Sequence, residues 1–430
     1  MYFLPSGRGV RPVLWVQRHA VGRGFGRRVR AYSRSTRIGR GFKPRRRGVS
    51  TPFPGGRWGC GVRGICGYPY PFCIRVSGPA HPYPVGMPFD PNAAATDPDA
   101  IFGLPHTREN ASIILIPVPY DATSSFGVGS SRAPEAIRGV SGQVDLFDRR
   151  FGAIHERGIY MEPHPAEVLE WSRQARADSA PIIARGGPRA GDEDAVSRVD
   201  QLSSRVTSHV YMRCDETYGQ GKTPGVIGGE HGVAYGLYKA AAERYPGVGI
   251  LQIDAHMDLR PAYEGFVWSH ASVMHNVLYD LDGVGRIVQV GIRDYCEREA
   301  ALAEEHAADR VGPGQTSIAT FFWDDIADER IGGGSWGVIC ERIITRLPEH
   351  VVISIDIDGL DPSLCPHTGT PVPGGLSWDQ LSLLLKMIKE SDRVVVGFDL
   401  VEVCPSPIEG DSPIDAVVGS RVLYRLCGVV

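Results

Sequence analysis

The sequence predicts an α/β fold in which a parallel β-sheet is covered by helices on both faces. Short apolar segments typical of strands alternate along the chain with helical segments, the pattern of repeated βαβ units. These strand segments are apolar at consecutive positions, as expected for strands buried on both faces. Acidic residues and histidines follow several of them directly. Ligands of such sheets bind beyond the carboxyl ends of the strands. We therefore expect the functional site at that edge of the sheet, where these acidic residues and histidines lie.

The elements follow from this alternation, taken in chain order. The predicted strands lie at 112–119, 224–229, 249–259 (running out into a loop), 286–292, 316–322, 351–357 and 393–403. The predicted helices begin near 133–135, with Pro134 in the first turn, and continue at 166–177, 192–206, 233–244, 271–278, 298–307, 336–346, 378–390 and 414–427. Residues 185–194 are rich in turn-forming residues and predict an exposed loop.

Charge divides the chain into two parts. The whole chain of 430 residues has a formal net charge of −3, but residues 1–89 contain no Asp or Glu and 17 of the 46 Lys and Arg residues. All 49 acids lie in residues 90–430, which therefore carry about −20. We expect 1–89 to be a basic, low-complexity, disordered extension and 90–430 to be a single globular domain.

Three interpretations of residues 1–89 remain open. The segment could be a basic arm that binds nucleic acid, an organellar transit peptide, or an upstream stretch absent from a mature protein that starts at Met87. We favour the third, because composition changes abruptly at 87–89. The acidic charge of the remainder opposes phosphate binding, so nucleic acid is an unlikely partner of the domain itself.

Cysteine usage and hydropathy indicate the compartment. The nine cysteines include no CxxC pair, and no apolar run approaches the ~18 residues that a membrane-spanning helix needs. These features predict reduced thiols in a cytoplasmic setting without a membrane anchor, with organellar import as the alternative if the extension is retained.

Acidic residues at the ends of two apolar strands predict a metal centre. Asp254, His256 and Asp258 occupy alternate positions after one apolar run, and Asp356 and Asp358 do so after another. Buried carboxylates without a cation cost several kcal/mol each, so these segments call for bound cations.

A further histidine completes the set. His231 follows two glycines that close a short strand, in the sequence GGEH. Two histidines and four carboxylates favour a pair of divalent first-row ions, with Mn²⁺ as the best match and Ni²⁺, Co²⁺ or Zn²⁺ tolerated. Four carboxylates balance two such ions, and a bridging hydroxide leaves about one negative charge. The chemistry implied is hydrolysis of a cationic electrophile.

The segments DAHMD, GGEH and SIDIDGLDPSLCPHTGTPVPGG resemble the signatures of the ureohydrolase family of arginases and agmatinases, over about residues 110–425. The resemblance implies a three-layer α-β-α catalytic domain with a parallel sheet of about eight strands, as in arginases and deacetylases. It also implies a homo-oligomer, a trimer or hexamer.

The resemblance assigns roles to the site residues. One metal ion would be bound by His231, Asp254, Asp258 and Asp356, and the other by Asp254, His256, Asp356 and Asp358, so that Asp254 and Asp356 bridge. His270 would transfer a proton to the leaving amine or from solvent. Glu402 would hold the guanidinium group of the substrate, since a carboxylate accepts two parallel N–H bonds.

The loop 260–269 bears on substrate choice. It lacks the Asn/Ser-rich cluster with which arginases bind the amino-acid end of arginine, and it contains Tyr263, Phe266 and Trp268 instead. The expected substrate is therefore agmatine, hydrolysed to putrescine and urea. Guanidinobutyrate, guanidinopropionate, guanidine and arginine remain alternatives, and a nucleic-acid-binding protein acting through 1–89 is the alternative from a different class.

Overall fold

In a computed structural model, the described residues are 89–95, 97–312 and 314–430. The expectations for residues 1–88 lie outside them. The core is one eight-stranded sheet whose strands all pair in parallel. This confirms the predicted α/β architecture and strand number.

The strands appear in the sheet in an order unlike their order in the chain. They are β1 (Ile113–Val118), β4 (Ile159–Met161), β5 (Thr223–Gly228), β6 (Val248–Ile253), β7 (Val284–Ile292), β8 (Ser317–Phe322), β9 (His350–Asp356) and β10 (Val394–Val401). A separate small hairpin joins β2 (Phe147–Asp148) to β3 (Gly152–Ala153). The sheet order is β4-β1-β5-β10-β9-β6-β7-β8, so the last strand of the chain lies between β5 and β9.

Helices cover the two faces of the sheet. They are α1 (Ala133–Ser141), α2 (Ala166–Ile183), α3 (Glu193–Gly219), α4 (Tyr235–Arg244), α5 (Val273–Asp280), α6 (Glu297–Glu305), α7 (Trp323–Ile331), α8 (Trp336–Arg346), α9 (Trp378–Lys389) and α10 (Ile414–Val429). Side chains of α1, α8, α9 and α10 belong to one hydrophobic core, and those of α2 to α5 to another.

Alternate residues of one strand supply the two cores. Ile353 of β9 packs into the core beneath α8 and α9, whereas its neighbour Val352 packs into the other. Both are fully buried. Burial on both faces explains why the strand segments are continuously apolar. Polar side chains of a functional site are therefore expected at the ends of the strands.

The elements that differ from the sequence-based expectations include β4, α7 and α3. Strand β4 has three residues, too few for a periodic pattern. Helix α7 was not predicted, because Ile326 is its one fully buried residue. Helix α3 continues thirteen residues beyond the predicted end at 206, to Gly219, and buries Val210 and Cys214 at a helical spacing.

None of the helices in the described part of the chain is long and apolar enough to cross a bilayer.

Candidate metal centre

Four adjacent strands, β5, β10, β9 and β6, carry the predicted site residues at their carboxyl ends. Ile253 of β6 pairs with Ile355 of β9, and Val401 of β10 pairs with Asp356. The register therefore places Asp356, the last residue of β9, beside Asp254 and Glu402, which directly follow β6 and β10. His231 begins a short 3₁₀ turn after β5, on the far side of β10.

The first ligand group consists of His231, Asp254 and Asp258. The Nδ1 atom of His231 lies 2.8 Å from Oδ2 of Asp258 and 3.1 Å from Oδ2 of Asp254. Oδ2 of Asp356 lies 3.6 Å from the same nitrogen. All four side chains are buried.

The second ligand group consists of Asp254, His256 and Asp358. The Nδ1 atom of His256 lies 3.2 Å from Oδ2 of Asp358 and 3.6 Å from Oδ1 of Asp254. Within each group the potential ligand atoms lie within 4.8 Å of one another. Asp254 belongs to both groups, one oxygen facing each histidine, as expected of a bridging carboxylate.

Asp254, His256 and Asp258 were predicted to share one face of an extended strand. In the structure they lie in the loop after β6 instead, and the backbone of that loop brings their side chains together. The strand ends at Ile253, and Asp258 has a left-handed backbone with φ of 54°. Glu402 is also left-handed, with φ of 58°. Such a conformation costs a non-glycine residue of order 1 kcal/mol or more, and two of the four such residues in the described part of the chain are these site residues.

The hydrogen bonds of His231 fit a bound metal ion. Its Nε2 lies 3.0 Å from Oγ of Ser354, whereas the buried Nδ1 has no hydrogen-bond partner. In the tautomer that donates from Nε2, the lone pair of Nδ1 faces the oxygens of Asp254 and Asp258. A cation between these atoms would satisfy all three of them.

The pKa values also indicate that the cluster needs positive charge. Burial, followed by the neighbouring Asp254, raises the pKa of Asp258 to about 7. Burial alone would lower the pKa of His256, but Asp358 and Asp254 outweigh it and raise that pKa to about 12. Within the described residues, no Lys or Arg forms an ion pair with these carboxylates. The residues present therefore fit divalent ions.

A cavity of about 310 Å³ opens onto this cluster. Its lining includes His231, His256, Asp258, Asp356, His270 and Glu402. The two remaining ligand candidates, Asp254 and Asp358, lie beneath it. The structure thus brings all eight predicted site residues to one place.

Glu402 is held firmly within this cavity. Its Oε1 accepts a hydrogen bond from the backbone N–H of His231 at 3.0 Å, and its own N–H donates to the carbonyl of Gly229 at 2.8 Å. Burial raises its pKa to about 8. A cationic ligand beside this carboxylate would favour its ionised form.

His270 lies at the start of a 3₁₀ turn on the cavity wall. Its Nε2 is 3.3 Å from Oγ of Ser125, and its Nδ1 is 3.3 Å from Oγ of Ser269. Burial lowers its pKa to about 3. The ring is therefore neutral at pH 7.

A polar network behind His231 escaped the sequence-based reasoning. The hydroxyl of Ser354 donates to Asp399 at 3.0 Å, and the single hydroxyl hydrogen of Tyr238 can be donated to Oγ of Ser354 at 2.8 Å or to Oδ2 of Asp399 at 3.0 Å. On the other side, Gln252 donates to Oδ2 of Asp254. Ser354 and Gln252 each stand two residues before a predicted ligand, on otherwise apolar strands, and that spacing is a signal that could have identified them.

Other candidates have supporting roles. Thr370 donates to Oδ2 of Asp358 at 3.1 Å and so supports that ligand. Asp361 accepts from Ser363 and caps a turn. The guanidinium of Arg293 donates to the carbonyls of Asp358, Val372 and Gly291, so it ties loops together below the cavity.

Of the aromatics expected to influence substrate choice, Tyr263 lines the metal-site cavity and Phe266 is fully buried. Trp268 lines a separate, more open cavity of about 900 Å³ beside α3.

The three-layer fold, with two ligand groups at the carboxyl edge of its sheet, defines a class of metal-dependent hydrolases. Residues 111–428 match the Arginase family, and the chain belongs to that family. It is therefore an amidinohydrolase, an enzyme that hydrolyses guanidino or amidino groups.

Characterised relatives are similar across most of the domain. N(1)-aminopropylagmatine ureohydrolase of Thermus thermophilus is 33% identical over 308 residues, covering 71% of this chain and 87% of that enzyme. Agmatinase of Bacillus anthracis is 28% identical over 298 residues, covering 69% and 85%. Among solved structures, agmatine ureohydrolase of Thermoplasma volcanium has a TM-score of 0.56 at 23% identity and covers 77% of this chain and 94% of its own. This last likeness shows the fold.

Proposed function

We propose that this protein hydrolyses the guanidino group of a small cationic substrate and releases urea, with agmatine as the substrate and putrescine as the other product. The observation that carries the proposal is the pair of ligand groups sharing Asp254 at the base of a cavity that also contains Glu402 and His270. A guanidinium needs an anionic partner, a nucleophile and a proton donor for the leaving amine, and this cavity provides a residue or ligand group for each.

Two Mn²⁺ ions, with Ni²⁺ or Co²⁺ as alternatives, would be held by His231, Asp254, His256, Asp258, Asp356 and Asp358. When bound there, they would supply Lewis acidity and a water activated for attack at neutral pH. The oxygen-rich ligand set supports Mn²⁺.

The protein side chains would orient the substrate and move protons. Glu402 would hold the guanidinium, because one of its oxygens is fixed by the His231 amide while the other lies near Gly369 at the cavity. His270 is neutral and lines the same cavity, so it would accept a proton at its free ring nitrogen and pass it on to the amine that leaves the guanidino carbon.

The rim of the cavity supports a substrate with an aliphatic tail. Phe126 and Tyr263 both line the cavity, and Phe126 is 83% exposed. An aromatic rim favours the methylene chain of agmatine over the charged amino-acid end of arginine.

A longer substrate, N(1)-aminopropylagmatine, is the second candidate. It is supported by the relative of that name from Thermus thermophilus. The carboxylate of Asp294 lines the cavity with its side chain 68% exposed, where it would meet a further ammonium group.

We further propose a cytoplasmic homo-oligomer, a trimer or hexamer, with residues 90–430 as its single catalytic domain. The six cysteines among the described residues are free thiols, which supports a reducing compartment. Size-exclusion chromatography with light scattering would test the subunit number.

The test is urea release by the purified protein. Agmatine, N(1)-aminopropylagmatine, arginine, guanidinobutyrate, guanidinopropionate and guanidine would each be supplied with Mn²⁺ or Ni²⁺. We expect the highest kcat/KM with agmatine or its aminopropyl derivative, complete loss after chelation, and recovery when metal is restored. Absence of urea from every substrate with either metal would refute the proposal.

A further inference from the structure

Thr123, in the loop that follows β1, contacts both the backbone and the ring of His270. The oxygen of the Thr123 hydroxyl accepts a hydrogen bond from the backbone N–H of His270 at 3.1 Å and lies 3.5 Å from Nδ1 of the same ring. The hydroxyl hydrogen is directed to Oε1 of Glu230 at 2.9 Å. Thr123 therefore links His270 to a carboxylate that lines no cavity.

Glu230 is fixed in turn by the backbone. Its Oε2 accepts from the N–H of Thr123 at 2.7 Å, and its own N–H donates to the carbonyl of Tyr120 at 2.8 Å. The side chain is 1% exposed. Thr123 follows β1 and Glu230 follows β5, and these strands are neighbours in which Val118 pairs with Gly228. The sheet itself brings the two residues together.

The hydroxyl of Thr123 can act toward His270 as a hydrogen-bond donor or as an acceptor, depending on where its single hydrogen is directed. A threonine hydroxyl has one hydrogen and two lone pairs. Because Glu230 takes the hydrogen, only lone pairs of Thr123 face His270, one for its backbone N–H and one for the ring. Nδ1 also lies 3.3 Å from Oγ of Ser269, which already accepts a hydrogen bond from the N–H of Ala271. A proton on Nδ1 is the arrangement in which the ring donates to these two oxygens, and it leaves the lone pair of Nε2, 3.3 Å from Ser125, at the cavity.

We propose that Thr123 and Glu230 are positioning residues that fix the orientation and the tautomer of His270, with the proton on Nδ1. The inference rests on the proposed function, since it concerns the residue that would transfer the proton. A carboxylate acting on a histidine through one hydroxyl serves the purpose that a directly bonded carboxylate serves in other enzymes, which is to hold the ring in one tautomer.

Two variants of Thr123 and a control at another threonine separate the role of the hydroxyl from that of packing. Thr123→Val removes the hydroxyl and keeps the shape, and we expect kcat to fall about 10–100-fold with KM and metal content unchanged. Thr123→Ser restores the hydroxyl and should recover most of that loss. Thr217→Val is the matched control, because Thr217 is a fully buried threonine whose hydroxyl donates to a helix carbonyl of α3.

Glu230→Gln tests the direction of the hydrogen bonds. The glutamine oxygen would face the N–H of Thr123, so its NH₂ group would donate to the Thr123 oxygen. The Thr123 hydrogen would then turn to Nδ1 of His270 and force the ring proton onto Nε2. We expect kcat to fall about as much as in Thr123→Val, although Glu230→Gln removes a charge and leaves the shape of the side chain nearly unchanged.

A double-mutant cycle shows whether the effect passes through His270. In a His270→Ala background, Thr123→Val and Glu230→Gln should each change kcat by less than about twofold. If they cost as much there as in the wild-type background, or if the loss appears in KM or metal content, the proposal is wrong.

A spectroscopic readout separates this inference from the proposed function. In protein labelled with ¹⁵N-histidine and loaded with diamagnetic Zn²⁺, the resonances lost in His270→Ala should show a protonated Nδ1, and Glu230→Gln should move the proton to Nε2. This result in a protein that releases no urea would uphold the positioning role and refute the activity. An unchanged tautomer in an active Glu230→Gln variant would overturn the positioning role alone.

Discussion

The Nδ1 atom of His231 lies 2.8 Å from Oδ2 of Asp258 without hydrogen-bond geometry between them. A buried histidine nitrogen normally has a donor or an acceptor matched to it. Here the ring's other nitrogen is engaged by Ser354, so two lone pairs converge on one point. That point is where a cation would stabilise both residues.

Asp254→Asn should abolish both metal occupancy and urea release. Asp254 is the residue shared by the two ligand groups, so the substitution removes negative charge from both at once. Metal content by inductively coupled plasma mass spectrometry and urea release would be measured on the same sample. Asp392→Asn, at an exposed surface aspartate, is the control. Full turnover in Asp254→Asn would contradict the two-metal interpretation.

His270→Ala should lower kcat by about 10²–10⁴-fold while leaving metal content intact, because a general acid–base group typically contributes that much. Steady-state kinetics with agmatine and metal analysis would measure the two effects. His350→Ala, at the opposite end of the strand that carries Asp356, provides the comparison. A variant that loses its metal would instead place His270 among the ligands.

Ser354→Ala should weaken metal binding more than it slows the saturated enzyme. Ser354 holds Nε2 of His231, and loss of a partner behind a metal ligand typically costs 10–100-fold in affinity. Activity titrated against free Mn²⁺ should shift to higher concentration and reach nearly the same plateau. Ser420→Ala, at a buried serine of α10 bonded to its own helix, should show no shift.

Phe126→Ala should raise KM for agmatine about fivefold and leave kcat nearly unchanged. The ring is exposed at the cavity rim, and covering an aliphatic tail with part of it contributes about 1 kcal/mol. Phe147→Ala removes a comparably exposed ring from the separate β2–β3 hairpin and serves as the control. A fall in kcat with constant KM would assign Phe126 a role in chemistry instead.

Asp200→Asn should stabilise the protein more at pH 8 than at pH 5. Burial raises the pKa of Asp200 to about 6, above the unfolded value near 3.9, so its favourable contribution is complete below the unfolded pKa, decreases between the two pKa values and is lost once the pH has risen through about 6. Asparagine keeps an acceptor for the N–H groups of Val267 and Trp268 without the charge.

The expected gain at pH 8 is about 1 kcal/mol in unfolding free energy, reduced from the full shift because the carboxylate still reaches solvent. Urea denaturation at both pH values would measure it, with Asp282→Asn at an exposed position as reference. An equal effect at the two pH values would mean that the charge of Asp200 is not responsible.

Local sequence was sufficient where burial on both faces leaves a continuous apolar run. Strands such as β1 and β9 were predicted within one or two residues of their bounds, whereas β4 was missed because three edge residues form no pattern. The order of strands was not predictable, since pairing β10 between β5 and β9 depends on contacts between residues far apart in sequence.

The same distinction applies to the site. Carboxylates at the ends of apolar strands stand out in the sequence, and the structure places Asp254, Asp258 and Asp356 together as expected. Thr123 and Glu230 form no recognisable sequence pattern. Their role is visible only in the hydrogen bonds that join Thr123 to Glu230 and to His270, which are far apart in sequence.

The position of β10 bears on the order in which the site can form during synthesis. His231 is translated long before residues 394–401, yet β10 lies between the strand that precedes His231 and β9, and it is the last strand of the sheet to leave the ribosome. Asp254, His256 and Asp358 follow β6 and β9, which pair directly, so the second ligand group needs no residue of β10. We therefore expect a product truncated before β10 to lack Glu402 and the strand that holds His231 beside Asp254.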